Sequence, residues 1–174
     1  MRLMNKLYVL LACLVATSTY AQDAKSELNS TPAQSSMSAF NVGAGITQGL
    51  VHLNAEWVNP YGIAYVKGGV FFNDNYIAGG QLGFRRAVHL TGKDLNGYYL
   101  GAYAGHIDAK WVGDKHQAQL GGGVDLSYVM LSRERISSLS VGIGAGEKLE
   151  DNHGNVVAET EPKLQFSYTL SVGL

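Results

Sequence analysis

The sequence predicts an all-β fold, a closed antiparallel eight-stranded up-and-down barrel, on three observations. From Ala39 onward, short apolar alternations of period two are broken by turn signals, the pattern of strands with two unlike faces. One of those faces consists largely of glycine and small hydroxyls, although glycine inside a strand is costly and needs a reason. Charged residues make up only 16 % of the chain, where about a quarter is usual in soluble domains.

At 174 residues there is room for one domain. A formal net charge of −1 excludes nucleic acid as a partner, because binding phosphates needs a concentrated basic face. Residues 1–21 read as a cleaved export signal: Arg2 and Lys6, an apolar run from Leu7 to Ala16, then Thr19-Tyr20-Ala21 ahead of Gln22. The run is too short to cross a bilayer as a helix. Leu10-Leu11-Ala12-Cys13 resembles a lipoprotein attachment motif, but Cys13 sits in mid-run and leaves with the signal. The mature chain is therefore expected to hold no cysteine and no disulfide. Residues 22–38, rich in Ser, Thr, Gln, Asn and Ala, cannot bury a core and are expected to form a flexible periplasmic lead-in. The barrel is expected over 39–174.

The first strand sets the apolar parity of Phe40–Thr47 against glycine and polar residues. The second sets Val51, Leu53, Ala55 and Trp57 against His52, Asn54 and Glu56, and ends at the turn Asn59-Pro60-Tyr61-Gly62. The third sets Ala64, Val66, Val70 and Phe72 against Tyr65, Lys67, Gly69 and Phe71, before a turn at Asn73-Asp74-Asn75. The fourth sets Tyr76, Ala78, Leu82 and Phe84 against Gly79, Gln81, Gly83 and Arg85. After Thr91-Gly92-Lys93 comes a fifth strand over Tyr98–Ala104, whose facing is ambiguous. The sixth sets Leu120, Val124, Leu126, Tyr128 and Met130 against Gln119, Gly121, Gly123, Asp125 and Ser127. The seventh sets Leu139, Val141, Ile143 and Ala145 against Ser138, Ser140, Gly142 and Gly144. The eighth alternates Leu164, Phe166, Tyr168, Leu170, Val172 and Leu174 with Gln165, Ser167, Thr169, Ser171 and Gly173.

The small polar parity is poor material for a solvated surface, which would carry dense Lys and Glu. It suits a narrow lumen in which small residues make room for a few large polar ones. Glu56, Lys67, Arg85 and Asp125 all take this parity, with both signs present, and His52 joins them. Together they are expected to form a polar network inside, since a buried charge persists only when paired or hydrogen-bonded. The apolar parity then faces lipid, making the barrel transmembrane. With both chain ends periplasmic, Phe40, Trp57, Tyr98 and Tyr128 fall near one membrane interface. Phe72, Tyr76, Trp111 and Phe166 fall near the other, giving two aromatic belts.

On these residues the chain resembles the small bacterial outer-membrane β-barrel class, the type of OmpX and the OmpA transmembrane domain. The resemblance covers Ala39 to Leu174 and is one of pattern. Asn96 to Gly105 is similar to a strand of bacterial barrels of this size, and the alternation from Phe166 to Leu174 to that class's final strand. Members usually end in phenylalanine, where this chain has leucine. The class implies outer-membrane location, contact with lipid and lipopolysaccharide, and handling by the barrel-assembly machinery.

No catalytic motif emerges. The class includes lipid A deacylases and acyltransferases, and a lipid-modifying enzyme is the first alternative. The deacylase His-x-Ser-Asn arrangement is missing, and His89-Leu90-Thr91 falls at an expected periplasmic turn. His106-Ile107-Asp108 sets a histidine and an acid two apart without further ligands nearby, so no metal is expected. Gly142 to Lys148 lacks the spacing of a phosphate-binding loop. Leu149 to Glu161, with Glu150, Asp151, His153, Glu159 and Glu161, is expected as the last and longest outer loop, a solvated one. A second alternative is a soluble periplasmic barrel that binds an apolar ligand in its core. The expected role is structural or surface-interacting, with no enzyme activity and no cofactor; the oligomeric state is open.

Overall fold

The computed structural model describes residues 38–72, 76–91, 95–112, 115–132, 134–150 and 154–174. The expected signal, the lead-in before Ser38, the turn 73–75, Gly92, Lys93, Asp151 and His153 lie outside them.

The strands are β1 (Phe40–Thr47), β2 (Leu50–Asn59), β3 (Gly62–Phe71), β4 (Ile77–Leu90), β5 (Gly97–Val112), β6 (Lys115–Leu131), β7 (Arg135–Gly146), β8 (Leu149–Glu150), β9 (Val156–Ala158) and β10 (Pro162–Gly173). Eight of them close a barrel in the order β1-β10-β7-β6-β5-β4-β3-β2, every neighbour antiparallel. The seam runs from Asn41 opposite Gly173 to Thr47 opposite Ser167. Ser38 and Leu174 therefore meet at one end, the near end, where the Ser38 hydroxyl donates to the Leu174 carbonyl at 2.9 Å.

Turn chemistry sets the hairpins. Gln48 and Gly49 both have positive φ, 43° and 88°, as a two-residue type I′ turn requires. Asn59 Oδ1 accepts the Tyr61 amide at 2.9 Å, and Gly62, at φ 150°, takes a backbone path that suits glycine alone.

Two elements exceed the sequence reading. The β5–β6 hairpin runs well past Ala104, because a bulge between His106 and Asp108 lets pairing continue from Asp108–Gln119 to Val112–Lys115. The expected loop from Leu149 to Glu161 holds a small hairpin, β8 paired with β9.

The two faces are inverted relative to a soluble barrel. Apolar side chains cover the outside of β1–β7 and β10, among them Leu53 at 73 % exposed, Leu82, Leu139 and Leu164. Polar ones fill the middle of the inside. Apolar layers sit above and below them. At the near end Ile63, Ala87, Tyr99, Val129, Leu131 and Ile136 pack together, and at the far end Leu50, Phe71 and Ala109 do. Tyr65, Tyr103 and Ile107 form a third inner cluster.

Inward glycines make room for these side chains. A Cβ on Gly83 would stand 2.5 Å from the Tyr65 Cζ and hydroxyl, and one on Gly144 would stand 2.5 Å from the Tyr103 hydroxyl. Outward-facing Gly68 differs, since a Cβ there meets nothing within 4 Å. Gly83→Ala is expected to destabilise the barrel by about 1–3 kcal/mol through overpacking. Gly68→Ala is expected to change stability by at most about 1 kcal/mol, in the favourable direction. Urea midpoints of the two variants against the parent check the contrast.

Candidate functional site

The four charged residues expected inside, Glu56, Lys67, Arg85 and Asp125, are buried there, and so is His52. Parity delivers them. His52 and Glu56 come from β2, Lys67 from β3, Arg85 from β4 and Asp125 from β6, each at an inward position.

Arg85, 1 % exposed, is the centre of one group. Its Nη2 donates to Asp125 Oδ2 at 3.2 Å and to Ser140 Oγ at 3.0 Å, and Nη1 donates to Ser138 Oγ at 3.1 Å. Ser138 in turn bonds Thr169, and Ser127 bonds Ser140 at 3.1 Å. The guanidinium also stacks 4.5 Å from the Tyr65 ring centre, a cation–π contact in a dry setting. Gly101 leaves space for this group, since a Cβ there would lie 2.9 Å from Arg85 Cγ.

Lys67 organises a second group without an acid. Its Nζ donates to Thr47 Oγ1 at 3.1 Å and Ser167 Oγ at 3.0 Å, and lies 5.0 Å from the Tyr65 ring centre. Thr47 and Ser167 bond each other at 2.7 Å, and Thr47 bonds His52 Nε2 at 3.1 Å. Tyr65 thus lies within reach of two cations. Asn54 Nδ2 donates to Ser171 Oγ at 2.8 Å. Among the described residues the one ion pair joining the expected five is Arg85–Asp125, while Glu56 Oε2, His52 Nδ1 and Asp125 Oδ1 are buried without a protein partner. The space left at this level is a cavity of about 10 Å³, lined by Thr47, Tyr65, Lys67, Gln81, Tyr103 and Asp125 among others. That is room for a single water.

At the far end, Gln81 and Gln165 donate from inside to the His106 and Ile107 carbonyls at 3.0 and 2.8 Å. Lys163 Nζ bonds Asp108 Oδ2 at 2.8 Å and Gln119 Oε1 at 2.9 Å. His106 and Asp108 do not share a face, as an unbroken strand would have them do. The bulge sets His106 opposite exposed Leu120 and Asp108 opposite buried Gln119. No group of three or more His, Cys, Asp or Glu among the described residues could hold a metal ion. In the last loop, Glu150 bonds Lys148 at 2.6 Å.

All eight residues expected in the aromatic belts are accounted for on the outside or in the half-exposed rim. At the near end Phe40 stacks on Trp57 with ring centres 6.3 Å apart, and Tyr98 meets Tyr128 edge-on at 5.1 Å. Phe72, Tyr76 and Trp111 are exposed toward the far end. Phe166 is exposed beside the β1–β2 turn, where the Gln48 amide donates to its carbonyl at 3.0 Å.

Sequence reasoning missed the apolar end layers. Their signal was present: Ile63, Val129 and Leu131 continue the polar parity of Lys67 and Asp125 toward the strand ends. Comparison with known proteins finds no family model, no curated protein and no solved structure that matches the chain.

Proposed function

We propose that this chain is an integral outer-membrane β-barrel of the small OmpX-like type, with a structural or surface-interaction role and no catalytic chemistry. In this reading it is exported with its leader removed, inserted by the barrel-assembly machinery, and surrounded by phospholipid and lipopolysaccharide. One observation carries it: apolar side chains encircle the outside while charges and hydroxyls are buried within. A soluble monomer rarely exposes a continuous apolar surface of that extent, whereas lipid requires it. Closure of the barrel also leaves none of its eight strands as an edge strand, the condition for β-structure in a bilayer.

The filled interior argues against the two other uses of a barrel. A pore needs a continuous water path, and both ends here are packed with apolar side chains. A carrier of apolar ligands needs an apolar cavity, and this interior is polar at mid-height, with water-sized space. His52 lies inside against Thr47, His89 beside Tyr98 at the near end, and His106 against the Gly80 amide. That scatter supports a structural reading of the three.

The test is fractionation followed by gel electrophoresis of boiled and unboiled samples. Recovery in the outer membrane with a boiling-dependent mobility shift is expected. Recovery as a soluble periplasmic protein without a shift would sink the proposal.

A further inference from the structure

We infer that Lys67 is the latch of the barrel, the side chain that holds the first strand to the last and keeps the β1–β10 seam from opening. Closure of the sheet alone supports this, whatever medium lies outside the wall. Seven joints of the barrel link strands that follow one another along the chain, whereas the seam links its two ends. Thr47 and Ser167, which face each other across it, lie 120 positions apart, so this joint carries the largest loop-closure cost. Its backbone ladder is also short. Among the described residues it holds seven residue pairs, against fifteen between β5 and β6. At eight residues β1 is the shortest of the barrel strands, and its inward positions between Asn41 and Thr47 are both glycine, Gly43 and Gly45. Glycine within a strand weakens it and offers no side chain to the neighbour.

Side chains from β2 and β3 supply what β1 lacks. Lys67, on β3, reaches past β2 and donates to both residues of the seam's last rung, Thr47 of β1 at 3.1 Å and Ser167 of β10 at 3.0 Å. Hydrogen bonds from an ammonium are roughly twice as strong as neutral ones. Lys67 is buried, so bulk water does not compete for them. Asn54 of β2 likewise crosses over its register partner Gly43 to donate to Ser171 of β10 at 2.8 Å. A Cβ on Gly45 would stand 2.8 Å from Thr169 Cγ2 and 2.9 Å from His52 Cε1, so glycine there lets the flanking side chains close over β1. The other inner cation works elsewhere. Arg85 sends its hydrogen bonds to Asp125, Ser138 and Ser140, on β6 and β7.

Amide hydrogen exchange of the refolded full-length barrel, resolved residue by residue by NMR, tests the latch. Lys67→Met is expected to speed exchange of the amides that pair β1 with β10 about tenfold, the loss of one hydrogen bond to a charged group. Amides between β5 and β6 are expected to stay within about twofold of the parent, because they open only with the whole barrel. Thr47→Val keeps the charge and removes only the β1 end of the latch. It is expected to speed the same seam amides by a smaller factor, and to add little to Lys67→Met, since the two groups act as one unit. Arg85→Met is the contrast, expected to speed exchange between β5 and β6 as well. Parent-like seam exchange in Lys67→Met, or equal acceleration in every strand, would overturn the latch. Should Lys67→Met fail to refold, Thr47→Val decides alone: acceleration confined to the seam upholds the latch, and parent-like or uniform exchange overturns it.

Discussion

Arg85→Met is expected to lower unfolding stability by about 3–5 kcal/mol, because it strands the Asp125 carboxylate in a dry interior. Among the described residues Asp125 keeps one side-chain hydrogen bond beyond Arg85, from the Ser127 hydroxyl at 3.4 Å, too long to replace a guanidinium. Ser138 and Ser140 each lose a charged donor as well. Adding Asp125→Leu to the first substitution is expected to recover most of the loss, since the cost lies in the unpaired charge rather than in the missing pair. Urea titration of the barrel refolded in detergent, followed by the boiling-dependent gel shift, gives the three midpoints. If the double variant is no more stable than Arg85→Met, the loss comes from packing against Tyr65, and the charge argument fails.

Leu53→Arg separates lipid from water as the medium outside the wall. Leu53 sits in the middle of β2, opposite Ala44 on one side and Gly68 on the other, and is 73 % exposed. In a bilayer the substitution is expected to cost about 2–4 kcal/mol, the penalty for arginine near the midplane of a barrel. In water the same change at so exposed a site would fall within about 0.5 kcal/mol of neutral. Tyr76→Arg is the companion measurement. Tyr76 is equally exposed but lies at the far-end rim, where the cost in lipid is expected to fall to about 0–1 kcal/mol. Urea titrations in phospholipid vesicles give the depth dependence, and equal effects at the two positions would contradict a lipid-facing wall.

Much of the fold was legible because a strand has a period of two and nothing else disturbs it. In β7 and β10 every residue from Ser138 to Gly144 and from Leu164 to Gly173 takes the face its parity predicts. Legibility fails where that period breaks. Tyr98 and Tyr99 are both aromatic, yet one faces out and the other is buried against the near-end layer with its hydroxyl donating to the Leu95 carbonyl at 2.8 Å. The bulge after His106 then shifts the register, pairing Asp108 with buried Gln119, while Ile107 and Ala109 both stay inside, Ala109 with Leu50 and Phe71. Among the inner charges, parity revealed the side of the wall but not the partner. Asp125 reaches Arg85 across β5, over a register that closes only in three dimensions. Lys67 found hydroxyls from β1 and β10, strands separated in sequence by most of the chain. The expectation of paired charges holds for Arg85 and Asp125, while small hydroxyls meet the needs of Lys67.

The apolar layers at the two ends have a consequence for dissolved ions. Ions in solution weaken an attraction only where they can gather around it, over a distance of about 8 Å at physiological ionic strength. The Lys148–Glu150 pair, half-exposed on both sides, stands open to such an atmosphere. Arg85 and Asp125 are enclosed by the wall on every side and by Ile63, Ile136, Leu50 and Phe71 toward the ends. Brine and fresh water are therefore alike to the inner pair, so the interaction at the heart of this barrel is insulated from the salinity of whatever bathes its rims.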